Sequence, residues 1–138
     1  MSAEFNVTMP TSRVALESPL GRLNGRDCIY LDERHADPVA ASLQLEGDIN
    51  GSLAKPGAPG MWVPYVLRFI GVAAWTRDDL DDSDRHTWVS SFDEVLGSPW
   101  AQTLGRQEIR HIAVQTYDDV FNILCTDFEF KLGEPNSG

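Results

Sequence analysis

Apolar and polar side chains alternate along most of this chain, the period-two pattern of residues that point in turn to opposite faces of a sheet. Near the start, Val14 and Leu16 alternate with Arg13, Ala15 and Glu17 until Ser18, Pro19 and Gly21 interrupt the pattern. Residues 27–33 are apolar on both faces, with Cys28 and Tyr30 against Ile29 and Leu31, and His35-Ala36-Asp37-Pro38 supplies a turn. Residues 39–46 then set Leu43 and Leu45 against Ser42, Gln44 and Glu46, so these two segments suit a hairpin. Residues 48–60 read as one long Pro/Gly-containing loop.

The strongest strand signal covers residues 62–76, where Val63, Tyr65, Leu67 and Phe69 on one face and Val66, Ile70 and Val72 on the other leave Arg68 as almost the whole polar content. Such a run predicts a central strand, and Gly71 inside it predicts a bulge or bend. A helix is predicted at Ser91-Phe92-Asp93-Glu94, because a Ser followed three residues later by Glu matches a capping box and Phe92, Val95 and Leu96 recur at helical spacing before Gly97. A second helical turn is predicted at Ser98-Pro99, with Pro at the first helical position and Trp100 and Leu104 four apart.

Two further strands close the chain, residues 109–116 and 120–132, with Tyr117-Asp118-Asp119 as the turn between them. The apolar phase slips inside the second: Phe121, Ile123 and Cys125 are odd-numbered, whereas Phe128, Phe130 and Leu132 are even. A bulge near Thr126-Asp127 reconciles the two phases. The combined expectation is a single α+β domain over residues 1–138, mainly a curled antiparallel sheet of about six or seven strands, with one or two short helices before the C-terminal hairpin. The polar ends, residues 1–11 and 134–138, are expected to be mobile.

The 138 residues carry 21 acidic against 11 basic side chains, a formal charge of −10. A chain this acidic is repelled by nucleic-acid phosphates and anionic membrane surfaces, so neither is an expected partner. The acidity is concentrated in two segments, residues 77–94 and 117–138, separated by near-neutral sequence. There is no signal-peptide pattern at the N-terminus and no apolar stretch of membrane-spanning length, which points to a cytoplasmic protein. Cys28 and Cys125 each sit in an apolar run and read as reduced core thiols.

Candidate chemistry is sparse. Asp78, Asp79, Asp81, Asp82 and Asp84 cluster five carboxylates, but without the Gly and the terminal Glu of an EF-hand loop they read as a solvated acidic surface able to dock a basic protein. Trp75 and Trp88 flank this cluster and could form an aromatic rim. None of His35, His86 and His111 has a partner at a recognised metal-ligand spacing, and no nucleophile elbow or phosphate loop is present, so no metal, cofactor or catalytic residue is assigned. Two functional expectations follow. The first is a non-enzymatic acidic protein that engages or neutralises a basic protein partner, similar in size and charge alone to bacterial immunity proteins. The alternative is a small-molecule binding or catalytic domain with a pocket formed by Tyr65, Arg68, His111 and Tyr117, in which Arg68, alone in an apolar strand, needs an anion.

Overall fold

The computed structural model describes residues 11–79 and 88–137. Among these residues twelve strands run in the order β1 (Ser12–Ala15), β2 (Glu17–Ser18), β3 (Gly21–Leu23), β4 (Ile29–Asp37), β5 (Ser42–Asn50), β6 (Ala54–Pro56), β7 (Trp62–Ile70), β8 (Ala74–Asp79), β9 (Phe92–Leu96), β10 (Arg110–Gln115), β11 (Asp119–Cys125) and β12 (Asp127–Leu132). They form a five-stranded sheet, β1-β9-β10-β11-β8, a four-stranded sheet, β12-β7-β5-β4, and a small three-stranded sheet, β2-β3-β6. Every pairing between them is antiparallel.

Two long segments belong to both larger sheets, and this explains the features that period two left unresolved. The chain leaves β7 at Ile70, turns through Gly71 and enters the other sheet as β8. Coming back, it leaves β11 at Cys125, turns at Thr126 and enters the first sheet as β12. β8 pairs with β11 and β7 with β12, so the two corners coincide. Thr126 ties them together, its N–H and hydroxyl both donating to the Ile70 carbonyl at 2.9 and 3.0 Å. Strands that switch sheets at a bend are how sheets packed at a steep angle make their corners. The odd-to-even slip is therefore this sheet change: Phe121 and Ile123 enter the core from one sheet, Phe128 and Phe130 from the other.

The core lies between the two larger sheets. Leu43, Leu45, Ile49, Leu67 and Phe69 from one meet Phe92, Ile112, Val114, Phe121 and Ile123 from the other, all fully or almost fully buried. Phe92 bridges the layers edge-on, its ring 5.1 Å from Phe128 and 5.5 Å from Phe130. Within the four-stranded sheet, Gly47 sits opposite Tyr65, and any Cβ there would run into the Tyr30 carbonyl. Its absence lets the Tyr65 ring cross β5, and the phenol donates to that same carbonyl at 3.1 Å.

The predicted α+β class is not what forms. Strand residues make up 59% of the described chain and helical turns 6%, so the domain is mostly β. The segment at Ser91 is the strand β9, paired on both sides. The two capping-box residues have other partners, the Ser91 hydroxyl donating to the Gly25 carbonyl at 2.6 Å and Glu94 accepting from Arg110, while the buried Asp93 carboxylate between them accepts from the Val89 and Ser90 amides, each at 2.9 Å, and from the Ser90 hydroxyl at 2.6 Å. Ser91 and Glu94 thus anchor a strand to its neighbours, and Asp93 fixes the turn that leads into it. Ser98 does cap a helical turn, α1 (Pro99–Gln102), accepting from the Ala101 amide, but four residues do not make a helical layer. The hairpin of residues 27–46 is present as β4 and β5, with His35 inside strand β4 rather than in the turn. The loop of residues 48–60 contains a short 3₁₀ turn (Gly51–Leu53) and β6. The C-terminal end is held by a reciprocal backbone bridge between Asn136 and Trp62 at 2.7 and 2.8 Å.

Candidate functional site

The two acidic segments of the sequence meet at one end of the five-stranded sheet. β8 carries Asp78 and Asp79 at its end, β11 begins at Asp119, and the register sets Asp79 directly opposite Asp119. Like charges opposed across a ladder cost stability, about 0.2–1 kcal/mol per pair. Arg77, on the same strand, offsets part of that repulsion with an ion pair to Asp119 at 3.0 Å. Asp118 completes the group in the adjoining turn, which is closed by the Thr116 amide donating to the Asp119 carbonyl at 2.8 Å. Asp81, Asp82 and Asp84 lie outside the described residues.

Other acids of the two segments serve the fold. Asp93 is fully buried. Glu94 takes a two-pronged hydrogen bond from Arg110 at 3.1 and 2.9 Å, and Asp127 lies 3.6 Å from the same guanidinium. Glu129 faces Arg68 across β12 and β7. The acidic end thereby comprises Asp78, Asp79, Asp118 and Asp119, the last paired with Arg77.

An aromatic stack borders this end, built from residues other than Trp75 and Trp88. Tyr117, in the β10–β11 turn, stacks on Tyr30 at 5.1 Å and 15°, and Tyr30 in turn meets Trp62 edge-on at 5.3 Å. Arg26 covers the other side of Tyr117, 4.9 Å from the ring, and donates to its carbonyl at 2.7 Å. The turn is docked by the Tyr117 amide donating to the Ile29 carbonyl at 2.9 Å, which joins the two sheets here. Tyr117 is 41% exposed, so the stack presents a surface beside Asp118. Trp75 instead packs half-buried on Phe121 with Arg34 over its ring, and Trp88 lies beneath Arg13, 4.3 Å from the guanidinium carbon.

Comparison with known families, characterised proteins and solved structures finds no match.

The four residues expected to share a ligand pocket are dispersed. Arg68 is exposed on the outer face of β7, beside Gln44 and Glu129, so it makes no demand for a buried anion. Tyr65 is core, its phenol pushed well above the ordinary range by burial and by nearby Asp32, Asp48 and Glu46. His111 belongs to the other sheet, its Nδ1 2.8 Å from the Ser98 hydroxyl and its Nε2 2.7 Å from the Asn122 carboxamide oxygen. Burial holds its imidazole below the ordinary value of 6.5, Arg13 adds to this, and Asn122 opposes it. Tyr117 is in the turn already described.

The surface hollows formed by the described residues include these three. One of about 380 Å³ is lined by Asp32, Glu33, Glu46, Asp48, Tyr65 and Lys131 among others. A second, about 240 Å³, lies under α1 and includes His111; a third, about 410 Å³, lies between the β4–β5 turn and Trp75. None of the three is lined by more than one of Tyr65, Arg68, His111 and Tyr117. The acid-rich first hollow reflects four carboxylates spread over residues 32–48. They form no acidic run in the sequence, because Arg22, Arg26 and Arg34 are interleaved in and just before that stretch.

No helix among the described residues is long and apolar enough to cross a membrane.

Proposed function

We propose that this protein is a non-enzymatic binding protein that engages a basic protein partner through the end of the five-stranded sheet that carries Asp78, Asp79 and Asp118, with the Tyr117–Tyr30–Trp62 stack as its aromatic border. The observation that carries the reading is the placement of Asp79 opposite Asp119, which brings two sequence-distant acidic segments to one place. A cationic partner surface complements this local concentration of carboxylates, and stacked tyrosines supply contact area with little side-chain entropy to lose. The five-carboxylate run that begins at Asp78 continues from this end, so Asp81, Asp82 and Asp84 belong to the proposed partner-binding group. The reading places the protein in the cytoplasm, where the free thiols of Cys28 and Cys125 stay reduced.

The test is affinity capture with the full chain and with the variant Asp78→Asn/Asp79→Asn/Asp118→Asn. The wild-type chain is expected to retain a protein of basic isoelectric point that elutes as salt is raised, and the variant is expected to lose most of it while unfolding within about 1 kcal/mol of wild type. Capture of a neutral or acidic protein, or equal capture by the variant, overturns the reading.

A further inference from the structure

The outer face of the β4–β5 hairpin places three metal-ligating groups together. Glu33 and His35 are two apart on β4 and share a face, and Glu46 lies directly opposite Glu33 on β5. The His35 Nε2 is 3.0 Å from Glu33 Oε1 and 3.5 Å from Glu46 Oε2, and one donor atom from each residue lies within 4.8 Å of the others. Two ligands each bonded to a zinc-sized ion at about 2.0–2.2 Å stand about 2.8–3.6 Å apart in tetrahedral or octahedral geometry. Both His35 separations fall in that window, and the two carboxylates lie within 4.8 Å of each other, so a modest side-chain adjustment brings the three donors onto one ion.

Four other observations point the same way. Glu33 and Glu46 are like charges in direct opposition on neighbouring strands, and among the described residues the imidazole of His35 is the one basic side chain within 4 Å of both. The Gln44 amide donates to Glu46 Oε2 at 2.6 Å, orienting the carboxylate as outer partners of metal ligands do. The register shifts between Leu31 and Glu33, a bulge of the kind that re-aims side chains near sites, and the acid-lined hollow of about 380 Å³ lies alongside. That hollow leaves room for water or another oxygen ligand at the remaining coordination positions, with Asp32 and Asp48 adding negative charge.

We propose that Glu33, His35 and Glu46 form a binding site for a divalent ion of the zinc class. One imidazole nitrogen and two carboxylate oxygens suit an ion of borderline softness, with open positions left for water. The site lies on the four-stranded sheet, and its test is separable from that of the acidic end.

The experiment is calorimetric titration of the full chain with Zn²⁺ alone in a non-chelating buffer, repeated for His35→Ala and Glu46→Gln. Both positions are surface-exposed or half-buried, and circular dichroism checks that each variant is folded. The proposal expects one saturable site per chain, weakened at least about tenfold in both variants and unchanged in Asp78→Asn/Asp79→Asn/Asp118→Asn. Absence of a saturable site in the wild-type chain, or tenfold weakening missing from either His35→Ala or Glu46→Gln, overturns it.

Discussion

Replacing Gly71 with Ala tests the double corner on which the two larger sheets depend. Gly71 has φ +64°, where a residue with a Cβ is disfavoured by about 1–2 kcal/mol. The added Cβ would also press on Thr126, with Thr126 Cγ2 and Cβ at 3.0 and 3.1 Å and the hydroxyl closer still. Thr126 cannot swing away without giving up its 3.0 Å hydrogen bond to the Ile70 carbonyl, worth about 1 kcal/mol. The expected loss is about 2–3 kcal/mol, or roughly 6–10 °C in the midpoint of thermal unfolding for a domain of this size. Urea unfolding of Gly71→Ala, Thr126→Ala and the double variant separates the two contributions. Thr126→Ala alone should cost about 1 kcal/mol, and the double variant about 1 kcal/mol less than the sum of the singles, because the hydrogen bond is lost only once. A Gly71→Ala loss below about 0.5 kcal/mol would refute the corner argument, and strict additivity would refute the part assigned to Thr126.

Three other outcomes can be measured on the same preparation. Asp93→Ala removes a buried carboxylate that satisfies three donors and should cost about 3–4 kcal/mol in urea unfolding, whereas a loss under 1 kcal/mol would mean the turn holds without it. His111 is held below its ordinary value of 6.5, so the unfolded chain takes up its proton at higher pH than the folded one. Stability should therefore be complete above that value and fall as the pH drops below it, and His111→Gln should flatten the change in unfolding free energy between about pH 7.5 and 5.5. Burial pushes the Cys28 and Cys125 thiols up to about 11 and about 12, so a thiol reagent at neutral pH should label neither in the folded chain and both in denaturant.

Period two made most strands legible, the β4–β5 hairpin clearest of all, because one row of Leu43, Leu45 and Ile49 is buried against a polar row. It failed at β9 for a physical reason. In the five-stranded sheet both faces are covered, so Phe92 faces the core while Asp93 and Val95, of opposite parity, are buried on the other side. A short apolar run of that kind carries helical and strand spacing at once, and the Ser and Asp chemistry that caps helices also closes turns. The phase slip at Thr126 was visible as a defect, but only the pairing of β7–β8 with β11–β12 turns the defect into a corner. The acidic end was half legible. The two acidic segments stand out in the sequence, whereas the pairing of Asp79 with Asp119 depends on contact across some forty residues. The Glu33–His35–Glu46 group was hidden for a similar reason: the i, i+2 spacing gives one face only once the segment is known to be strand, and the third member comes from the neighbouring strand.

The most direct test of the acidic end is the salt dependence of affinity for the captured partner, measured for the wild-type chain and for Asp78→Asn/Asp79→Asn/Asp118→Asn. The wild-type dissociation constant should rise steeply between about 0.05 and 0.5 M salt, and the variant should bind about 10–100-fold more weakly at low salt with a shallower dependence. Equal affinities with parallel salt dependences would contradict the account.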